Sequence, residues 1–355
     1  MAAKTTARRP RLRRSRCDRP GITRRRRGNG FAYYYDDGAK VTDRDVLARI
    51  SALVLPPAWR DVWICPWPNG HIQALGTDVA GRRQYRYHDD WRLMRDAEKH
   101  ERVLTVAAVL PQLRQVIAQD MADGGVGRRA VLAAAVRLLD LGFFRVGGEA
   151  YADENSSYGL ATLRKDHVAI DRDALVFDYD AKGGKHRVVS IVDDDVRRLV
   201  TALKRRRGGG AELLAYKDDG GRWHDVHSGD INDHLRELSG VDMTAKDFRT
   251  WHATVLMAVA LAVSSSVTAP TARQRAIARA YKEVAGYLGN TPAVCRKSYV
   301  DPKVVDLFEQ GVTIAPALEK LGSEPQYGLA TQGAVERAVL RLLTTAPRRP
   351  ARSRK

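Results

Sequence analysis

Five polar side chains, Arg145, Lys182, Arg249, Asn290 and Tyr299, each stand in a distinctive stretch of sequence and together read as one reaction centre. Three are N–H donors able to surround a phosphoryl group as its charge redistributes. One, the lysine, can protonate a leaving oxygen, and only the tyrosine can form a covalent bond to phosphorus. That division of labour describes attack on a phosphodiester. A free phenol has a pKa of about 10 and is a poor nucleophile near neutrality, so the site must stabilise phenolate character and the phosphorus transition state together. Arginine suits this task because its planar, permanently charged fork bridges phosphate oxygens, where lysine offers a point charge. The leaving oxygen needs a proton, and Lys182 can supply one if neighbouring positive charge lowers its pKa.

The elements that must hold these groups are visible in the periodicity. An apolar stripe of Val131, Leu132, Ala135, Leu138 and Leu139 predicts a helix over 128–141, with Arg145 just past its end. Short Val- and Ile-rich runs at 166–170, 174–179 and 186–192 predict three strands, and Ala181-Lys182-Gly183-Gly184-Lys185 is a hairpin tip displaying Lys182. Further helices are expected at 194–206, at 228–238 with Ser228 as N-cap, at 247–263 carrying Arg249, at 270–288 opened by Pro270, and at 335–343. Gly208-Gly209-Gly210 breaks the chain between two of them. From Phe31 to about His100 the sequence is aromatic and turn-rich, with Pro56-Pro57, Pro66-Trp67-Pro68-Asn69-Gly70 and the alternation Gln84-Tyr85-Arg86-Tyr87, which predicts a small β domain. The expected fold is α+β: a basic disordered tail (1–28), a β-rich N-terminal domain (29–105), a mainly helical catalytic domain with a three-stranded hairpin region (106–315), and a variable C-terminal segment with a basic tail (316–355).

Charge says what carries the phosphate. Residues 1–30 hold twelve Lys/Arg against the single Asp18, and 346–355 hold five and no acid, so most of the net +18 lies at the two ends. Basic arms on a nearly neutral body fit a protein held to a polyanion through counterion release. Three scattered cysteines (Cys17, Cys65, Cys295) make neither a disulfide framework nor a CxxC clamp, which implies a reducing compartment. No apolar run approaches the roughly 20 residues a bilayer span needs, and the Arg-rich start lacks the apolar core of a secretory signal. A soluble chain is expected. His224 and His227 form an HxxH pair without an acidic or Cys partner nearby and read as surface histidines.

The segment Val284-Ala285-Gly286-Tyr287-Leu288-Gly289-Asn290-Thr291-Pro292 followed, nine residues after Asn290, by Tyr299 in Arg296-Lys297-Ser298-Tyr299-Val300 resembles the type IB DNA topoisomerases, in particular the short bacterial and poxvirus-like branch. The resemblance runs from about residue 28 to 310. It implies Tyr299 as nucleophile, Arg145 (in Phe144-Arg145-Val146-Gly147, leading into Tyr158–Leu163) and Arg249 (in Lys246-Asp247-Phe248-Arg249-Thr250) as the catalytic arginines, Lys182 as general acid, and Asn290 at the place of a His, or of an Asn in bacterial members. Arg82, Tyr85, Tyr87 and Tyr151 take the positions of DNA contacts, and Lys246, where recombinases carry His, is counted with them. A poxvirus-type DNA-contacting lysine is replaced here by Gly148. Asn290 donates a hydrogen bond but neither a proton nor a full charge, so Arg145 and Arg249 must do more.

The implied function is relaxation of supercoiled duplex DNA through a 3′-phosphotyrosyl intermediate, strand rotation and religation. Bond energy is kept in the ester, so no ATP, metal or other cofactor is implied, and the sequence has no P-loop or acidic metal cluster. The implied partner is duplex DNA, bound by a monomer closing as a C-shaped clamp in the bacterial cytoplasm, at the nucleoid, with no membrane and no small-molecule substrate. A tyrosine site-specific recombinase or integrase is the alternative enzyme; a non-enzymatic DNA-binding nucleoid protein is the alternative binder and would leave no covalent adduct. Plainer roles exist for single residues: Lys185 as a rival acid, Asn290 as an αL helix cap, Tyr287 as a core residue, and Arg82, Tyr85 and Tyr87 as an ordinary alternating strand.

Overall fold

The computed structural model describes residues 11–122, 125–149, 152, 154, 156–321 and 332–345. These divide into two compact units between Lys99 and His100.

The first unit is a five-stranded antiparallel sheet of order β2-β1-β3-β4-β5: β1 (Ile22–Arg27), β2 (Gly30–Tyr34), β3 (Arg60–Ile64), β4 (Ile72–Thr77) and β5 (Arg83–Tyr87). Its core is Ile22, Val41, Ile50, Val62, Ile64 and Ala74. The basic run Arg24-Arg25-Arg26-Arg27, expected in a disordered tail, is instead strand β1. It turns at Gly28 (φ +57°) into β2, and the guanidiniums of Arg24 and Arg25 lie over Phe31 and Tyr34, 4.1 and 4.7 Å from the ring centroids. Cation–π contact lets a charged strand face water while Ile22 anchors it inside. Helix α1 (Arg44–Ala52), capped by the Asp43 carboxylate on the N–H groups of Asp45 and Val46, also lies in the stretch read as β.

Helix α2 (Asp89–Ala122) begins inside the stretch read as β, with Asp89 and Asp90 in its first turn. The second unit is built around α3 (Arg128–Gly142) and α6 (Ala245–Ala262), each buried over most of its surface. A three-stranded antiparallel sheet, β6 (Val168–Asp171), β7 (Ala174–Ala181) and β8 (Lys185–Val192), packs beside α3. It is followed by α4 (Asp194–Arg205), the hairpin β9 (Ala215–Lys217) and β10 (Trp223–Asp225), and α5 (Ser228–Ser239). After α6 come α7 (Pro270–Leu288), α8 (Pro292–Ser298), α9 (Pro302–Glu309), α10 (Ala315–Leu321) and α11 (Ala334–Thr345).

Ser228 is the first helical residue of α5, not its cap: His227 takes the cap position, and Asp230 accepts its N–H at 2.9 Å. The Ser228 N–H and hydroxyl go to Glu149 instead. Helix α6 begins two residues before the expected start because Thr244 and Asp247 close a capping box. Helix α11, from the stretch expected to be variable, buries Val335, Val339 and Leu343 in the main core. Its Glu336 carboxylate takes Arg114 of α2 at 2.6 Å and the Trp251 indole N–H of α6 at 2.8 Å.

Candidate active site

Arg145 is presented by an abrupt helix stop. Phe143 closes α3 in the left-handed region (φ 55°, ψ 27°), uncommon for an aromatic residue, and any side chain at Gly142 would collide with the Phe144 ring. The following backbone is pinned: Leu160 donates to the Arg145 carbonyl at 2.8 Å and Ala161 to that of Val146 at 2.7 Å. Gly147 (φ +91°) lies so close to Gly159 that a Cβ on Gly159 would run into its backbone. From this fixed base Arg145 Nη2 donates to Asn290 Oδ1.

Arg249, one turn into α6 and 3% exposed, donates Nη1 to the Phe143 carbonyl and Nη2 to the Leu288 carbonyl at 2.8 Å. One guanidinium thus ties the end of α3 to the end of α7. That second end is a glycine-closed turn: Gly289 is left-handed (φ 60°, ψ 40°) and the Asn290 N–H returns to the Ala285 carbonyl at 2.9 Å. The left-handed role therefore falls to Gly289, not Asn290, whose side chain remains for Arg145. Tyr287 is half exposed rather than a core residue.

The nine-residue interval to Tyr299 is one short helix. Thr291 caps α8 by accepting the Val294 N–H at 3.3 Å, Pro292 opens it, and Tyr299 follows its last residue with its N–H on the Cys295 carbonyl at 3.1 Å. The Tyr299 ring lies under Arg249, whose guanidinium carbon is 5.2 Å from the ring centroid. Burial works against ionising this phenol, yet the charges of Arg249, Arg145 and Lys246 outweigh it and bring its pKa below the ordinary value. Burial weakens the hold of Arg249 on its proton and raises the pKa of the Cys295 thiol behind the tyrosine.

Lys182 stands exposed at the β7–β8 tip, between Ala181 and the left-handed Gly183 and Gly184. Lys185, the first residue of β8, is near enough for its charge to act on the Cys295 thiol. Lys246 is exposed, three residues before Arg249 on α6. In the first unit Tyr85 and Tyr87 share one face of edge strand β5 with rings stacked at 6.0 Å, and Tyr85 is 45% exposed. Arg82 is held by Asp78, 3.0 Å from its Nη2. Tyr151 lies outside the described residues. His224 pairs with Asp218 at 2.8 Å and His227 with Glu149 at 3.6 Å, and no cluster of metal-ligating side chains occurs among the described residues.

Two features had no signal in the motifs. Arg187, inside β8, donates Nη2 to the Tyr287 carbonyl at 3.1 Å, on the same turn that Arg249 grips. Beneath the arginines, Asp140 and His252, each 1% exposed, approach to 3.2 Å, and Arg114 Nε meets Asp140 at 2.7 Å. Burial opposes the Asp140 charge, but contact with His252 and Arg114 holds its pKa far below the ordinary carboxylate range. Spacing of three from Arg249 was the available hint for His252.

Comparison with known proteins places the chain in a family. Residues 88–317 match the protein-family model of the eukaryotic DNA topoisomerase I catalytic core, which defines the class. Residues 30–78 match that of the bacterial DNA topoisomerase IB N-terminal domain, and the chain belongs to the type IB DNA topoisomerases. It is 33% identical over 297 residues to DNA topoisomerase 1B of Acanthamoeba polyphaga mimivirus, spanning 81% of this chain and 88% of that one. To DNA topoisomerase 1B of Vaccinia virus (strain Copenhagen) and DNA topoisomerase I of Monkeypox virus it is 23% identical over 296 residues, spanning 78% of this chain and 90% of each relative. No helix among the described residues is long and apolar enough to cross a membrane.

Proposed function

We propose that the chain relaxes supercoiled duplex DNA, acting as a monomer, by breaking one strand through Tyr299 and resealing it. The arrangement that supports this most is the turn closing α7. There Arg145, Arg249 and Asn290 converge, the Tyr299 ring lies against Arg249, and no carboxylate among the described residues neutralises either arginine. Positive donors gathered round a phenol without a counter-ion suit an anionic group that gains charge density during reaction.

In this reading Tyr299 Oη, as a phenolate that has given its proton to solvent, attacks the phosphorus and the P–O5′ bond breaks, leaving a 3′-phosphotyrosyl ester and a free 5′-hydroxyl. Arg145, Arg249 and Asn290 donate to the non-bridging oxygens. Lys182 delivers the proton that the 5′ oxygen takes up, and the 5′-hydroxyl reverses the step after rotation. Arg82, Tyr85, Tyr87, Tyr151 and Lys246 contact the duplex, within an N-terminal DNA-binding domain (29–105) and a catalytic domain (106–315). The strongly basic composition fits a site of action in the cytoplasm at the bacterial nucleoid.

The test is relaxation of negatively supercoiled plasmid in EDTA without ATP by wild type and Tyr299→Phe, with detergent trapping of protein–DNA adducts. Wild type should relax the plasmid and form a 3′-linked adduct, while the variant binds but does neither. An adduct formed only at a specific pair of sites would instead mark a recombinase, and no adduct at all a binding protein.

A further inference from the structure

The last four carbonyls of a helix have no partner inside it. In α7 the turn itself satisfies two of them: Ala285 accepts from Asn290 and Gly286 from Gly289. The other two are taken by arginines from distant elements, Tyr287 by Arg187 of β8 and Leu288 by Arg249 of α6. Arg187 therefore reaches the turn that carries Asn290. Space has been left for it, since any side chain at Gly289 would strike its guanidinium.

Only one edge of that guanidinium is used. Arg187 Nη1 is buried and makes no hydrogen bond to the described residues, and the same holds for Arg249 Nε and Asn290 Nδ2. Three buried donors from three elements thus stand unused around one turn. Burial and the charge of Arg145 act against the charge of Arg187, and Arg187 in turn acts on Arg249. Three arginines pushed together, with no acid paired to them among the described residues, repel one another, a cost that an anion between them reverses. The second reason is chemical. Asn290 is a neutral donor, so Arg145 and Arg249 alone leave the centre one cation short of a site with a protonatable side chain at that position.

We propose that Arg187 is a further catalytic residue. With Nη2 kept on the Tyr287 carbonyl, its Nη1 donates to a non-bridging oxygen of the phosphodiester that Tyr299 attacks. It supplies there the positive charge that Asn290 lacks. This rests on the reading of Tyr299 as nucleophile. The strand that aims Arg187 is the one leaving the Lys182 tip: in the β7–β8 register Tyr179 faces Arg187 and Ala181 faces Lys185. One hairpin then brings both a proton donor and a phosphate ligand.

The test compares wild type, Arg187→Ala and Arg187→Lys in single-turnover adduct formation on two duplexes. One carries a normal scissile phosphodiester, the other a methylphosphonate at that position, which is uncharged and more readily attacked by a phenolate. On the diester, Arg187→Ala should slow adduct formation on the order of 10²-fold, as loss of one oxyanion donor does, with Arg187→Lys recovering part of the rate. On the methylphosphonate the penalty should nearly vanish, because the charge it answers is gone. An equal loss on both duplexes would reduce Arg187 to a tether of the α7 turn and overturn the proposal, as would no loss on either. Thermal melting checks that Arg187→Ala folds, and Arg187→Lys keeps the contrast readable if it does not. Absence of any adduct from wild type on the diester would instead sink the parent assignment of Tyr299.

Discussion

At the scale of single residues, the chemistry hinges on how one guanidinium changes one phenol. Arg249 lies over Tyr299 and, with Arg145 and Lys246, lowers its pKa against the effect of burial. A lowered pKa means the phenolate is populated earlier as pH rises. Single-turnover adduct formation should therefore climb with pH and level off below pH ~10, the ordinary tyrosine value. Arg249→Ala should move that inflection upward while slowing the reaction by 10²-fold or more, with little change in DNA affinity, because the contact strengthens at the transition state. The five candidate residues could be picked out of the sequence because their types are chemically rare in combination and sit in glycine- and proline-punctuated segments. Arg187 was not, since an arginine alternating within a strand looks like any solvent-facing position, and only the fold shows that it turns toward Tyr287.

At the scale of elements, the candidate site is a meeting of termini. The ends of α3 and α7 converge on Arg249 in α6, and periodicity located these helices well because their apolar stripes are long. Their capping was read less well: Gly289, not Asn290, closes α7, and Asp230 and Asp247 act at starts placed elsewhere. Helix α11 could be seen as a helix but not as a structural support, because the partners of Glu336 are 222 and 85 residues away. Asp140, buried yet held charged by contact with His252 and Arg114, predicts an acid-labile fold. A depressed carboxylate pKa gives stability that is fully present above the unfolded value of about 4 and is lost as pH falls toward the folded one. The melting temperature should drop below pH ~4, and Asp140→Asn should flatten that limb. Glu336→Ala should cost about 3–5 kcal/mol in denaturant titration, since it leaves Arg114 buried without one partner. The hairpin allows a separate test. Lys182→Ala should slow cleavage of a normal strand by 10²- to 10⁴-fold but recover on a 5′-bridging phosphorothiolate, whose sulfur leaves without a proton, whereas Lys185→Ala should show no such rescue.

At the scale of the whole molecule, the division into a β unit and a helical unit follows from composition: aromatic, turn-punctuated sequence before His100 and long apolar periodicity after it. What composition concealed was β1. A run of four arginines carries the signature of a solvated arm, and only the single buried Ile22 and cation–π partners on the next strand make it a strand. The first unit's proposed role predicts a clean separation of effects. Tyr85→Ala and Tyr87→Ala should weaken noncovalent binding to duplex by about 1–3 kcal/mol if the rings lie on the nucleic acid, as stacked aromatics do elsewhere. Adduct formation at saturating protein should stay near wild type.

Cys295 sits behind Tyr299, the proposed nucleophile, fully buried in α8, with its thiol pKa raised by burial. Cys65 is buried in the β unit and Cys17 is partly accessible, so the chain carries three thiols in three environments. An alkylating reagent meets them as a natural set of clocks, because a buried thiol reacts only through local opening. Cys17 should label first and set the scale, and Cys65 should follow the breathing of the sheet. Cys295 should time how often the short helix beneath Tyr299 lifts away from its core. If occupancy by DNA holds that helix shut, mass spectrometry after timed labelling should show Cys295 slowing by an order of magnitude or more while Cys17 keeps its pace. The engagement of Tyr299 could then be followed in the unmodified protein, without touching a residue of the proposed reaction centre.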